Sequence, residues 1–345
     1  MQFLAAFCLY LFDNQREIIR SHLNNKGGVG KTTLLCNLAS FMQQNYQQRV
    51  LIVDADPQCS ATIYLFNQGR LNEFYKKTEA PSIYRVVQHL RKVKGGYIKE
   101  KDIPIQTDSL FGVDVLIGDT CLALAEDFLS KDWSDATNGE SRGLMTTFVF
   151  RGLLEELQNK YDYVFFDMGP SLGAINRTVL LACDYFIVPM SSDIFCLRAI
   201  ENISLSLKSW LKGVNGGLEK YKENEGECYL SSPISLSFLG YITQQYNARI
   251  QGGVKRPVKA YDKIIEKFEN EIFTKLKDFY SPERQGELKL GEVPNWNSLV
   301  AFSQTANKPI FNLISGDGVF GSHIQKVKEF ALLMDKITSK ILKNS

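Results

Sequence analysis

The stretch KGGVGKTT, Lys26 to Thr33, decides how this chain reads. Gly27, Gly28 and Gly30 let the backbone turn so that successive N–H groups point inward at an anion. The residues that follow, Thr32–Gln44, carry Leu34, Leu35, Leu38, Ala39 and Met42 near helical spacing. They predict a helix whose positive dipole end faces the same point. Lys31 then reaches the β- and γ-phosphates of a nucleotide, the Thr32 hydroxyl ligates Mg²⁺, and Thr33 lies nearer the α-phosphate. The stretch fits G-x-x-x-x-G-K-[ST] with Asn25 at the first glycine position, and it adds a second lysine, Lys26. The expected cofactor-binding set on this loop is Gly27, Gly28, Val29, Gly30, Lys31, Thr32 and Thr33.

On either side of the loop, strand-like and helix-like segments alternate. Ile18–Leu23 precedes the loop, although Arg20, Ser21 and His22 make it polar for a buried parallel strand. Arg49–Val53 is a short apolar strand leading into Asp54, and Val113–Ile117 is another. Leu144–Gln158 reads as a helix, Tyr163–Phe166 as a strand leading into Asp167, and Ser171–Ala182 as a helix. Tyr185–Val188 and Phe238–Thr243 complete the strands. This alternation predicts an α/β fold with a predominantly parallel twisted sheet and helices on both faces. Ligands of such sheets bind beyond the carboxyl ends of the strands. The glycine loop, Asp54, Asp56 and Asp167 all fall there.

The 345 residues are 23% charged and 44% hydrophobic, with a formal net charge of +2. That balance is ordinary for a globular chain, so any nucleic-acid surface must be a local patch. Seven scattered cysteines without a C-x-x-C pair argue against a disulfide framework or zinc ribbon and fit a reducing cytosol. The opening MQFLAAFCLYLF is too short an apolar run to span a bilayer. Residues 1–16 are read as an extension that packs on the domain or reflects an upstream start codon, with a membrane anchor as the lesser reading. Residues 17–345 are read as one domain with surface insertions near 66–110, 130–143 and 213–233.

The loop resembles the deviant Walker A motif of the ParA/MinD family of P-loop ATPases. VDADPQCSAT (Val53–Thr62) resembles that family's second motif, and YDYVFFDMGPSLG (Tyr161–Gly173) its Walker B and switch segment. IVPMSSDIFCLRAIENI (Ile187–Ile203) is similar to the strand and helix that follow, and the likeness resumes at GYITQQYNAR (Gly240–Arg249) and KPIFNL (Lys308–Leu313). The DxDPQ form favours ParA over MinD. The resemblance implies ATP and Mg²⁺ as cofactors. It gives Lys26, Lys31 and Asp56 as the catalytic set, Lys26 crossing a dimer interface to the partner's ATP and Asp56 positioning or deprotonating the attacking water. Thr32, Asp54 and Asp167 form the metal set, with Asp167 acting through water. Pro170–Gly173 is the γ-phosphate switch, with Gly169–Pro170 where the family has two prolines. Pro294 and Asn295, in Val293–Pro294–Asn295, are the match for the adenine site.

The resemblance also implies an ATP-sandwich homodimer, non-specific DNA binding, an activating protein partner of the ParB kind, and a cytoplasmic, nucleoid-associated location. Arg249, Lys255, Arg256, Lys259, Lys263 and Lys267 form a local basic cluster. On a helix from Val258 the last three would share one face. The cluster is either a DNA surface or a solvated helix face. Ser322–Leu342 carries an apolar stripe that is either core-facing or, as in MinD-like proteins, membrane-binding. Other readings are a membrane-positioning ATPase, an ATP-dependent switch in a phage- or defence-associated system, and a metal-cluster ATPase. The last needs paired cysteines that the sequence does not show.

Overall fold

The computed structural model describes residues 5–11, 18–24, 30–77, 79–92, 96–108, 110–191, 194–225, 233–246, 248–251, 254–257 and 269–344. A nine-stranded sheet organises them. Its strands in chain order are β1 (Ala5–Leu11), β2 (Ile18–Asn24), β3 (Val50–Ala55), β4 (Gln106–Asp108), β5 (Val113–Leu116), β6 (Tyr163–Met168), β7 (Tyr185–Ser191), β8 (Ser237–Tyr246) and β11 (Lys289–Pro294). Two further strands, β9 (Ala248–Gln251) and β10 (Val254–Pro257), form a separate antiparallel pair. The spatial order in the large sheet is β11-β8-β7-β2-β1-β6-β3-β5-β4.

The pairings β3–β5, β3–β6, β2–β7, β7–β8 and β8–β11 are parallel. The expected α/β sheet is therefore present, with antiparallel strands at the β4 edge and at β1. The apolar run AAFCLYL, set apart from the domain in the sequence reading, supplies β1. It pairs antiparallel with β2 along its length and also meets β6 and β7. A domain boundary at 16/17 would cut β1 from its sheet. Strand β2, the polar segment before the glycine loop, has one parallel partner pair, His22 with Ile187 on β7.

Successive strand residues point to opposite faces, so each central strand feeds two cores. On β3, Leu51, Val53 and Ala55 enter one apolar cluster and Val50 and Ile52 the other. On β6, Val164, Phe166 and Met168 divide from Tyr163 and Phe165 in the same way. Helices α1 (Lys31–Tyr46), α2 (Ser60–Leu65), α3 (Gln68–Tyr75), α11 (Asn297–Ala306) and α12 (Ser322–Asn344) cover the second cluster. Helices α4 (Ile83–Lys92), α5 (Glu126–Thr137), α7 (Val149–Leu157), α8 (Ala174–Ala182), α9 (Ile194–Glu225) and α10 (residues 269–275) cover the first. The α12 stripe Val327, Phe330, Met334, Ile337 and Ile341 is buried in the core, so the core-facing alternative holds.

Three expectations change. Leu144–Gln158 is two helices, α6 (Ser141–Thr147) and α7, broken at Phe148 with φ −99° and ψ 21°. Leu144 and Phe148 pack in a small cluster with Ala136, Val214 and Leu218, whereas Val149, Phe150 and Leu153 enter the main one. The chain bends there to serve both. Residues 66–110 are woven into the fold rather than laid on its surface: Ile83, Val86 and Val87 of α4 are core residues and β4 extends the sheet. Residues 213–225 continue α9, and Val214 and Leu218 are fully buried. Glycines there suggested a loop. Their use is close packing, since a Cβ on Gly217 would lie 2.0 Å from the Ala136 carbonyl oxygen of α5. That approach also ties residues 130–143 into the helical layer.

Candidate nucleotide site

The site grows from three neighbouring segments. Helix α1 starts at Lys31, and its N-cap Gly30 has φ 76°, a left-handed conformation that glycine adopts without strain. No side chain caps this helix, so its first-turn N–H groups remain available to an anion. Beside it, β3 and β6 run parallel in a register that makes Asp54 and Asp167 direct partners. Both side chains are fully buried.

The Thr32 hydroxyl donates to Asp167 Oδ2 at 2.8 Å. Burial holds the Asp167 carboxyl well above the usual carboxylate range and the Asp54 charge adds to this, while Lys31 opposes it. Asp54 is pushed up to about 7, chiefly by burial. Burial lowers the Lys31 ammonium, with Asp167 and Asp56 pulling it back. Asp56, also buried, is raised by desolvation and restrained by a hydrogen bond from Gln58 N to Oδ1 at 2.9 Å and by the Lys31 charge. Among the described residues the result is one cation, Lys31, against three acidic groups, with the first-turn N–H groups of α1 at the same end of the sheet.

A cavity of about 540 Å³ opens beside these groups. Gly30, Lys31, Thr32, Thr33 and Asp56 line it, together with Pro170, Pro294 and Asn295. The sequence-predicted loop end, water-directing aspartate and base-binding segment therefore meet in one space, although Thr33 and Asn295 are 262 positions apart in the numbering. Neither Asp54 nor Asp167 is among the lining residues; Asp167 reaches the cavity through Thr32.

Asp54 is held by its neighbours. Its Oδ2 accepts from Thr62 N at 2.8 Å and from Thr62 Oγ1 at 2.6 Å, and Thr62 Oγ1 accepts in turn from Gly118 N at 2.8 Å. The sequence reading made Asp54 a metal-shell residue. Its carboxylate ties α2 to the turn after β3, Oδ2 through Thr62 and Oδ1 by accepting from Asp56 N at 3.3 Å. Lys26, Gly27, Gly28 and Val29 lie outside the described residues. So do Lys259, Lys263 and Lys267. Arg249, Lys255 and Arg256 are on the β9–β10 pair, where Arg256 stands opposite Arg249.

Two of the cavity residues that sequence reasoning missed carry buried polar atoms without partners. Gln244, 2% exposed, sits on β8 in register with Val293, and its Oε1 is buried without a hydrogen-bond partner. Trp296 Nε1 is likewise buried and unpartnered. Both line the cavity. An unpaired buried polar atom costs about 1–3 kcal/mol. An unpartnered acceptor and donor on residues of a cavity wall suit the edge of a heterocyclic base. The adjacency of Trp296 to Val293–Pro294–Asn295 was a usable signal for it. For a metal, the described residues hold no cluster of three or more His, Cys, Asp or Glu side chains. One threonine hydroxyl backed by one carboxylate fits Mg²⁺, which keeps several waters and takes ligands from substrate phosphates.

Residues 17–220, more than half of the chain, match the profile of the AAA domain family AAA_31. The chain is 29% identical over 180 residues to the virulence plasmid ParA family protein pGP5-D of Chlamydia psittaci, covering 52% of this chain and 58% of that relative. The match thus spans less than two thirds of the relative's own length. Among solved structures, protein DIP2308 from Corynebacterium diphtheriae is 27% identical with a TM-score of 0.62, over 81% of this chain and 94% of that one. An aspartate-to-alanine variant of McdA from Cyanothece, in complex with ATP, shares the fold with a TM-score of 0.56 at 17% identity, over 89% and 93% of the two chains.

Proposed function

We propose, because this chain belongs to the AAA domain family AAA_31 and is a P-loop ATPase of the ParA/MinD superfamily, that it binds ATP with Mg²⁺ in this cavity and hydrolyses it as an ATP-dependent dimer. The observation that carries the reading is the convergence of Lys31, Thr32, Asp56, Pro294 and Asn295 on one cavity of about 540 Å³. In this reading the base lies against Gln244, Pro294, Asn295 and Trp296, and the phosphates lie at the N-terminus of α1 with Lys31. Thr32 holds the metal, and Asp167 orients the Thr32 hydroxyl. Bound Mg²⁺ supplies charge neutralisation on the phosphate oxygens. Asp56, with its proton affinity raised by burial, directs or deprotonates the attacking water. Phosphoryl transfer asks little covalent chemistry of a protein, so position and charge carry the rate.

Lys26 crosses to the partner's nucleotide in this proposal, which makes ATP part of the subunit contact and dimerisation nucleotide-dependent. The dimer binds DNA non-specifically through the basic residues around Arg249, Lys255 and Arg256, doubled by the two-fold, and an activating protein speeds turnover. Plasmid or chromosome partition, or cargo positioning, is the role that fits. The kinship with a virulence plasmid ParA family protein supports this. The membrane-positioning alternative loses its motivating feature, because the apolar stripe of α12 is buried. No helix among the described residues is long and apolar enough to cross a membrane.

The test is the molar mass in solution with ADP and with ATP–Mg²⁺, for wild type and Asp56→Ala, with and without plasmid DNA. A dimer that forms only with ATP, binds DNA and persists longest in Asp56→Ala is the expected result. A mass indifferent to nucleotide would remove Lys26 from any interface.

A further inference from the structure

Glu126, the first residue of α5, lies outside the cavity lining, yet its carboxylate reaches the helix that follows the Asp167 strand. Its Oε1 accepts from Ala174 N, and its Oε2 accepts from Ile175 N at 3.1 Å. These are the first two residues of α8, whose N-cap, Gly173, supplies no side-chain acceptor. A carboxylate forked across two first-turn N–H groups meets both the orphan donors and the positive end of the helix. The approach is close enough that a Cβ on Gly173 would overlap Glu126 Oε1.

The same first turn holds the loop before it. Asn176 Nδ2 donates to the Gly169 carbonyl at 2.8 Å and also to the Ser171 carbonyl. Gly169 lies against Asp56: a Cβ there would stand 3.1 Å from Asp56 Oδ1. Pro170, in the same loop, lines the cavity. A continuous path therefore runs from Glu126 through the start of α8 and Asn176 to the wall beside Asp56. The far end of the path is packed against α5. Arg177 stacks over the Trp133 ring of α5 at 4.3 Å and donates to the Leu129 carbonyl at 3.1 Å, and α5 is packed on α9 at Gly217.

We propose that Glu126 is a positioning residue for hydrolysis: by gripping the N-terminus of α8 it holds residues 169–171 against Asp56 and fixes how Asp56 faces the attacking water. This rests on the reading of Asp56 as the water-directing group. Two variants break the grip from opposite sides. Glu126→Gln keeps the shape but leaves one acceptor oxygen and turns an NH₂ toward a backbone donor. Ala174→Pro removes a donor at the first helical position, where proline is well accommodated.

The experiment measures ATP turnover, ATP affinity and amide hydrogen exchange in wild type, Glu126→Gln, Ala174→Pro and Asp56→Ala. In both grip variants kcat should fall about tenfold while KM for ATP stays within about twofold. Exchange should quicken at Ile175 and stay unchanged in the interior of α1. If Ile175 exchanges faster but kcat is unchanged, with Asp56→Ala inactive, Glu126 is a helix cap only and the proposal is overturned. If Asp56→Ala turns over like wild type, the parent reading fails and the positioning role fails with it. A loss of ATP affinity equal to the loss of kcat would also overturn it, since that marks general disruption of the site.

Discussion

Thr32 and Asp167 are joined by a hydrogen bond of 2.8 Å between the first turn of α1 and the end of β6. The hydroxyl proton is thereby turned to the buried carboxylate, which leaves the Thr32 oxygen lone pairs for a metal. Changing Asp167 to Asn keeps the shape and removes the charge that backs the hydroxyl. Asp167→Asn should weaken the Mg²⁺ dependence of ATP binding about tenfold or more, as loss of a group behind a metal ligand does. Thr32→Val should do at least as much. Nucleotide titrations at several Mg²⁺ concentrations check both, and equal Mg²⁺ dependence in wild type and variants would rule the assignment out.

Asp56 should control turnover without controlling binding. Asp56→Ala is expected to lower kcat by about 10²–10⁴-fold, the range for a lost general base, with ATP affinity nearly unchanged. Burial raises its proton affinity, so wild-type turnover should fall as pH drops through a value above that of an ordinary carboxylate. The pH profile of kcat is the measurement. A rate that is flat down to the ordinary carboxylate range would remove Asp56 from the proton-handling role.

Asp54 gives a stability signature. Burial pushes its folded-state carboxyl up to about 7, above the unfolded value of about 3.9. The folded state binds the extra proton, so this contribution is full below about pH 4 and is lost as pH rises through 7. Burial places Asp167 in the same direction. The urea midpoint of wild type should therefore decline between pH 5 and pH 8. Asp54→Asn, which cannot ionise, should show a shallower decline; an identical slope would mean that Asp54 is already ionised at pH 5.

Gln244 and Trp296 should matter for the base and not for the phosphates. Trp296→Phe keeps the ring that packs edge-on against Phe330 at 5.6 Å but deletes the indole N–H. Each of Trp296→Phe and Gln244→Leu should cost about 1 kcal/mol of binding, roughly fivefold in Kd, for ATP and ADP alike. Fluorescence titration with both nucleotides checks this. A loss confined to ATP would place these residues at the phosphate end instead.

Gly217→Ala tests the close helix packing. Alanine improves helix propensity by about 1 kcal/mol. Here its Cβ would meet the Ala136 carbonyl oxygen at 2.0 Å, a backbone atom that cannot swing aside. The overlap wins, with a net loss of about 1–2 kcal/mol in denaturant unfolding.

Much of the site was legible in the sequence because its parts are local. A glycine turn before a helical pattern and aspartates at the ends of apolar runs are short-range features, and the structure brings Lys31, Thr32 and Asp56 to one cavity. The α/β class followed from alternating segments whose strands are buried on both faces. What misled the reading were residues whose use is set by distant partners. Gly213 and Gly217 read as loop punctuation, yet a helix packed against α5 requires small residues there.

Side-chain type and spacing act over a few residues, so the amino-acid order alone revealed the phosphate loop, the strands β2, β3, β5, β6, β7 and β8, and the aspartates at the ends of β3 and β6. It took the folded arrangement to show that Gln244 and Trp296 share the cavity with Lys31, that Thr62 binds the Asp54 carboxylate, and that Glu126 grips the start of α8. Those outcomes depend on which strands become neighbours and in what register. They arise when one side chain finds, across many intervening residues, the single donor or carbonyl left for it in a close-packed interior.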